Sequence, residues 1–148
     1  MTTGEDQDDF DLAEIPKYAE AFRETYGKQF PIVLDYTVGT LASLDRFIDS
    51  NFEPHQDPEE GITLILFGTY VGETIRKELG GEWANNDEQG PVLTKIGGIL
   101  ETSPVFAVLS RFRNGEDASL AGLFEKLQTT IERFKDGELD PDIGFKEP

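Results

Sequence analysis

The sequence predicts an α+β domain in which about five helices pack on a small three-stranded antiparallel β-meander. Apolar residues recur every three or four positions along most of the chain, which is the period of an amphipathic helix. After residue 80 this period gives way to short runs bounded by glycine and asparagine, which is typical of strands joined by tight turns. With 148 residues, 37% of them hydrophobic, the chain can bury a core without disulfides, and it contains no cysteine.

Two helices are predicted in the first third of the chain. The first begins near Ile15, because Pro16 is tolerated only in a first helical turn, and Gly27 is expected to end it. Residues 29–36 then form either a short strand or an extended lead-in. The second helix follows, and its apolar residues fall at steps of three and four, so that they share one buried face.

A central helix is predicted near residues 58–79. Asp57 followed by Pro58 matches an N-cap with proline at the first helical position. The first half of this helix is apolar on nearly all sides, so other elements are expected to cover it. The spacing of Gly68 and Gly72 suits the close approach of a neighbouring backbone.

Three short strands are predicted after the central helix, at Glu82–Ala84, Val92–Ile96 and Ile99–Glu101. Asn85-Asn86 and Gly97-Gly98 are the turn residues between them, and the glycine pair indicates a hairpin. An antiparallel meander is the simplest sheet that these short runs can form.

Two further helices complete the predicted domain. Ser103 and Pro104 provide an N-cap and a first-turn proline for the fourth helix, which ends at Asn114. Asp117 or Ser119 begins the fifth helix, whose apolar residues again form a stripe along one face.

A single domain is predicted over residues 10–135. Residues 1–9 are expected to form a disordered acidic N-terminal tail and residues 136–148 an acidic C-terminal tail, because both are polar and charged. No window approaches 18 uncharged apolar residues, and the acidic start of the chain is unlike a secretory signal. We therefore expect no membrane association and a cytoplasmic location.

The charge balance narrows the classes of partner. Thirty acidic residues stand against 13 basic ones, for a formal net charge of −17. Such a field repels phosphate backbones and anionic lipid headgroups, which argues against nucleic acid and membrane surfaces as partners. Because the carboxylates are spread over four of the five predicted helices and both ends, we interpret the acidity as adaptation to high salt.

No motif predicts a metal or a cofactor. The chain has no cysteine and a single histidine, His55, which lacks a partner set for zinc or for nucleophilic catalysis. The glycines match no phosphate-binding loop. Carboxylates from Asp136 to Glu147 follow the spacing of a calcium loop, but Pro141 stands where the sharp turn requires glycine.

One stretch carries the candidate functional residues, which are Tyr70, Glu73, Arg76 and Trp83, with Arg111 from a later helix. A carboxylate on an otherwise apolar helix face is costly unless it is paired, so Glu73 must bond Arg76, Lys77 or a distant partner such as Arg111. Two interpretations stay open. The residues form an ion-pair cluster that fixes the packing of the helix, or they form a pocket with charge beside an aromatic wall of Tyr70 and Trp83.

The stretch from Tyr70 to Trp83 also carries a tyrosine-x-glycine-glutamate, then arginine, then glycine-glycine-x-tryptophan pattern. Together with Gly90-Pro91-Val92, Gly97-Gly98 and the run from Arg111 to Glu116, it resembles a family of small prokaryotic, haloarchaeal-type domains of unknown function. The resemblance covers roughly residues 35–134. It implies an α+β domain and brings no known activity, substrate or catalytic residue.

Three functional hypotheses follow. The first is a non-enzymatic domain that binds a protein partner or forms a homodimer. The second is a small-molecule binding protein or minor hydrolase that uses Glu73 as a base beside Trp83. The third is an immunity-type or inhibitor protein whose acidic surface binds a basic partner.

Overall fold

A computed structural model describes residues 11–86, 88 and 90–137. Within that part of the chain it contains five helices and one three-stranded antiparallel sheet, so the predicted α+β class is confirmed. The helices are α1 (Ile15–Gln29), α2 (Val38–Asn51), α3 (Gly61–Leu79), α4 (Pro104–Asn114) and α5 (Leu120–Lys135). The strands are β1 (Glu82–Asn86), β2 (Gly90–Ile96) and β3 (Leu100–Thr102).

Helix α3 begins three residues later than the sequence predicts. The carboxylate of Asp57 does not cap the helix, because its two oxygens accept bonds from Arg113 Nε at 2.7 Å and Nη2 at 2.9 Å. Residues 52–60 therefore stay in a loop, and α3 starts at Gly61. Asp57 thus bonds a residue distant in the sequence, whereas the local pattern predicts that it caps the helix.

The covered part of α3 is its middle rather than its first half. Nine consecutive residues, Phe67–Ile75, are buried, whereas Ile62 near the start is 46% exposed. The small residues explain the difference, because a Cβ at Gly68 would lie 2.9 Å from the Cα of Val105 in α4, and one at Gly72 would overlap the indole of Trp83. The predicted close approach of a backbone is confirmed at Gly68, whereas Gly72 makes room for the side chains of Trp83 and Pro104.

The sheet has the predicted order β1-β2-β3 with antiparallel pairing throughout. Trp83 pairs with Leu93 across β1 and β2. Asn85 and Asn86, predicted as turn residues, belong to β1 and pair with Pro91 and Gly90, so the prediction of a turn there was wrong. The register shifts between Leu93 and Ile96, which marks a bulge on the way to β3.

The core is rich in aromatic rings. Phe22 of α1 and Phe67 of α3 lie with ring centroids 4.7 Å apart, and Phe112 of α4 meets Phe67 edge-on at 5.8 Å. Helix α3 stands between α1 and α4 and packs on β2 as well. This arrangement fixes the end of α3 against the start of the sheet, where the candidate residues lie.

The remaining sequence predictions have mixed outcomes. Helix α1 begins at Ile15 as predicted but passes Gly27 and ends at Gln29, and residues 31–34 form an irregular segment rather than a strand. Ser103 and Ser119 cap α4 and α5. Three predicted features lie outside the described residues: the acidic tail at 1–9, the calcium-like spacing beyond Gly137 and nearly all of the tail at 136–148. No helix in the described ranges is both long enough and apolar enough to cross a membrane.

Candidate functional site

Glu73, Arg76 and Trp83 form one hydrogen-bonded cluster at the end of α3. Arg76 Nε donates to Glu73 Oε2 at 2.9 Å, and Arg76 Nη2 donates to Oε1 at 3.1 Å. The indole Nε1 of Trp83 donates to the same Oε2 at 2.8 Å. The ion-pair partner expected at helical spacing is thus present, and the tryptophan supplies a third bond.

Local chain geometry explains why these side chains meet. Glu73 and Arg76 are three residues apart on a helix and so lie on adjacent turns of one face. Gly80 and Gly81 then take positive φ values of 85° and 141°, which ends α3 and folds the chain back into β1. Trp83 returns over α3, where the absence of a side chain at Gly72 leaves room for its ring.

The cluster leaves Glu73 little capacity for acid–base chemistry. Burial, with only 4% of the residue exposed, raises the pKa of Glu73, but the bonds from Arg76 and Trp83 outweigh it and hold that pKa below its usual range. A carboxylate with a lowered pKa is a weak base, and both of its oxygens are already occupied. The arrangement is suited to holding β1 against α3.

Tyr70 makes different contacts from those of the cluster. Its hydroxyl donates to Thr40 Oγ1 at 3.2 Å and accepts the backbone N–H of Tyr36 at 2.8 Å. Its ring stacks on that of Tyr36 at 4.8 Å and contacts Phe22 at 5.3 Å. The ring contacts of Tyr70 thus join α3 to the loop before α2, and the predicted aromatic wall of Tyr70 and Trp83 is not formed.

Arg111 is buried in another cluster and does not pair with Glu73, so that candidate pairing was wrong. Only 2% of Arg111 is exposed, and its Nε donates to Asp45 Oδ1 at 2.8 Å while its Nη2 donates to Asp49 Oδ1, also at 2.8 Å. Asp45 further accepts the backbone N–H groups of Leu120 and Ala121 at 2.9 and 3.1 Å. One aspartate therefore binds an arginine of α4 and caps the N-terminus of α5.

Tyr36 is a residue that sequence reasoning missed. It takes a positive φ of 62°, which is uncommon for a residue other than glycine, and its hydroxyl donates to Glu20 at 2.6 Å. Burial and the bond to Glu20 raise the pKa of Tyr36 well above its usual range. Lys77 Nζ lies 5.0 Å from its ring centroid. These contacts hold the loop between α1 and α2, and no local pattern in the sequence indicates them.

Surface grooves lie elsewhere. The Val33 groove has a volume of about 440 Å³ and is lined by residues 30–33 and, on α2, by Ser43, Arg46, Phe47, Ser50 and Asn51. A second groove of about 380 Å³, the acidic groove, is formed by the loop before α3 and includes Glu53, Asp57, Glu59 and Glu60. Neither groove includes Glu73, Arg76, Trp83 or Tyr70.

No group of three or more histidine, aspartate or glutamate side chains within the described ranges is placed to hold a metal ion. The charged side chains that do converge, at Glu73 and at Arg111, are bonded to protein groups of opposite charge. These clusters hold elements together.

The chain matches no protein-family model, no curated protein and no solved structure, so the family resemblance of the Tyr70–Trp83 stretch stays a prediction.

Proposed function

We propose that this chain is a non-enzymatic domain that binds a protein partner through the Val33 groove. The observation that carries the proposal is the exposure of Val33, whose surface is 73% accessible beside an apolar groove. An exposed aliphatic side chain that continues an apolar groove marks an interaction surface more often than an exposed aliphatic side chain surrounded by polar residues does.

The composition of the Val33 groove supports a protein interface. Among the described residues, its lining contains Phe30, Phe47 and Arg46 but no aspartate, glutamate or lysine. Interfaces are enriched in aromatic residues and arginine and depleted of those three residue types. In a chain with 30 acidic residues, a groove without a carboxylate is a compositional exception.

The hydrolase alternative has weaker support. It requires Glu73 to act as a base, but that carboxylate is 4% exposed and is bonded by Arg76 and Trp83. Protein binding requires neither a free base nor a cofactor.

Binding of a basic partner has one observation in its favour. The acidic groove places the carboxylates of Glu53, Glu59 and Glu60 around the start of α3. Such a field would steer a cationic partner toward the loop before α3 rather than toward α2. We keep this immunity-type function as the second candidate, with Glu59→Gln/Glu60→Gln as its diagnostic variant.

The proposed setting is a cytoplasm of high salt. Screening at molar salt shortens the reach of the chain's negative field to a few ångströms, so an apolar groove can bind a partner without long-range repulsion. Hydrophobic contacts, unlike surface ion pairs, do not weaken as salt rises.

The proposal is tested by comparing how Val33→Asp and Val38→Asp affect partner capture from native lysate in molar potassium chloride. Val38 is 37% exposed at the opposite end of α2 and does not line the groove, so it receives the same substitution as a control. We expect a captured protein that is lost with Val33→Asp and retained with Val38→Asp. Light scattering of the wild type identifies the case in which the partner is a second copy.

Two outcomes would contradict binding at the groove. Capture that persists with Val33→Asp but is lost with Glu59→Gln/Glu60→Gln would favour the basic-partner function. A strict monomer that captures nothing dependent on Val33 would refute the proposal.

A further inference from the structure

We infer that the Val33 groove binds an extended peptide segment of the partner that carries an apolar side chain next to a carboxylate. This inference rests on the proposed function and adds the chemistry of the ligand. It is carried by three features of the groove: a free stretch of backbone, an apolar floor and an arginine without a carboxylate partner.

The free backbone belongs to Val33. In the described part of the chain its N–H and C=O make no hydrogen bond, although the N–H of Ile32 and the C=O of Leu34 do. The Ile32 N–H donates to the carbonyl of Phe30 at 2.8 Å, and the carbonyl of Leu34 accepts from Arg23 Nε at 2.7 Å. An exposed residue with an unpaired donor and acceptor can pair with the backbone of an added extended segment.

The segment that presents Val33 is held in place at both ends. At its start the Phe30 N–H donates to the carbonyl of Tyr26. At its end Arg23, which bonds Leu34, is itself bonded to Glu20 at 2.9 Å. A surface ordered before binding loses less conformational entropy on binding, so a short peptide can bind it.

The apolar floor receives the side chain. Phe30 and Phe47 meet edge-on with ring centroids 4.8 Å apart below the exposed Val33. Alternate residues of an extended peptide point to the same side, so one apolar side chain can enter the groove while its neighbours face away from it.

The charge of the ligand follows from Arg46. Its Nη2 donates to Ser43 Oγ at 3.2 Å, and it has no carboxylate partner among the described residues. Arg23, Arg76, Arg111 and Arg113 each bond a carboxylate in the same structure. A guanidinium with free donors at the edge of an apolar groove is complementary to a carboxylate.

These features favour a peptide over the other anionic amphipath, a fatty acid. A fatty acid would satisfy Arg46 and the floor but would leave the N–H and C=O of Val33 without partners. A cationic segment would bring its charge against Arg46 with no carboxylate in the groove to receive it.

The test begins with a random peptide library displayed on phage and panned against the full chain at about 0.15 M potassium chloride, because molar salt would screen the charge of Arg46. Enriched sequences are synthesised, and their affinities are measured by fluorescence anisotropy. We expect an acidic residue within two positions of an apolar one, and an affinity that falls about tenfold or more with Arg46→Glu. Lys126→Glu makes the same change of charge outside the groove and is expected to leave the affinity unchanged.

A charge exchange makes the test specific. Replacing the peptide's acidic residue by lysine should abolish binding to the wild type and restore it to Arg46→Glu. Circular dichroism of each variant establishes that it is folded; Arg46 is exposed, so its replacement is not expected to unfold the chain.

The inference is overturned if enriched peptides lack an acidic residue, if Arg46→Glu binds them as the wild type does, or if dodecanoate binds the groove and peptides do not. A partner still captured in a Val33-dependent manner would then leave the proposed function standing. If neither Val33-dependent capture of a partner nor Arg46-dependent binding of a peptide is found, the proposed function and the inference are both refuted.

Discussion

Glu73 is almost fully buried, with 4% of its surface exposed, although its side chain carries a charge. Its charge on an apolar helix face singles it out, and a functional base would be expected to face a cavity. In the structure Arg76 and Trp83 occupy both carboxylate oxygens. The sequence predicted the Arg76 partner because that contact lies within one turn of helix. The Trp83 bond depends on the turn after α3, which no periodicity encodes.

The first prediction concerns Glu73→Gln and the dependence of stability on pH. Because the pKa of Glu73 is lowered on folding, the folded state releases its proton more readily than the unfolded state. Its stabilising contribution is therefore present above the unfolded pKa near 4.5 and is lost as the pH falls through the folded value. We expect the free energy of unfolding of Glu73→Gln to fall less steeply below about pH 4.5 than that of the wild type.

The measurement is urea unfolding followed by tryptophan fluorescence over a series of pH values. Glu78→Gln is the matched control, because Glu78 is an exposed residue of the same helix whose side chain makes no hydrogen bond to another described residue. If Glu73→Gln and Glu78→Gln showed the same pH profile, the paired role of Glu73 would be wrong.

At the scale of the elements, Asp45 joins three helices that are distant in the sequence. It lies on α2, bonds Arg111 of α4 and accepts the first backbone N–H groups of α5. Asp45 is not one of the apolar residues that share the predicted buried face of this helix, so the helical period alone places it toward solvent. Its burial could not be predicted, because it depends on an arginine 66 residues away.

The second prediction is that Asp45→Ala destabilises the fold far more than Asp49→Ala does. Asp45→Ala leaves the buried Arg111 without its main partner and removes the acceptor of the first two backbone N–H groups of α5, although Ser119 still bonds Gly122, so it should lower the free energy of unfolding by about 3–5 kcal/mol. Asp49 bonds the same arginine, but its side chain is 53% exposed, so its loss should cost about 1 kcal/mol or less.

Chemical denaturation followed by circular dichroism measures both values. The two variants share the substitution, the helix and the partner, so their difference isolates burial and capping. Equal losses of stability would show that the Asp45 network does not hold α4 and α5 to α2.

For the whole molecule, the charge of −17 is the dominant property. Exposed carboxylates occur on four of the five helices, for example at Glu24 in α1, Glu78 in α3 and Glu125 in α5, and α4 carries none. They are spread over several elements rather than confined to the acidic groove, so their mutual repulsion acts on the folded state as a whole. This distribution is why we propose adaptation to salt rather than a single cation-binding surface.

The third prediction is that the melting temperature rises between low salt and molar potassium chloride, by on the order of 10 °C, because salt screens this repulsion. Scanning calorimetry measures the rise. A variant with Glu59, Glu125 and Glu132 changed to Gln has its charge reduced from −17 to −14 and should show a smaller rise. A melting temperature independent of salt would contradict the proposal.

The sequence by itself determined the fold class, the three-stranded meander and most helix limits. These depend on hydrophobic period, proline, glycine and capping residues, all of which act over a few neighbouring positions. Helix α3 is an exception. It starts later than its local pattern predicts, and the predicted capping residue, Asp57, is bonded to Arg113, 56 residues away. Which charged side chains meet depends on the tertiary structure. The core brings distant elements together, and these elements cover Asp45, Arg111 and Trp83 and supply their bonding partners. The Val33 groove also depends on folding, which brings residues 30–33 next to Arg46, an arginine without a carboxylate partner among the described residues.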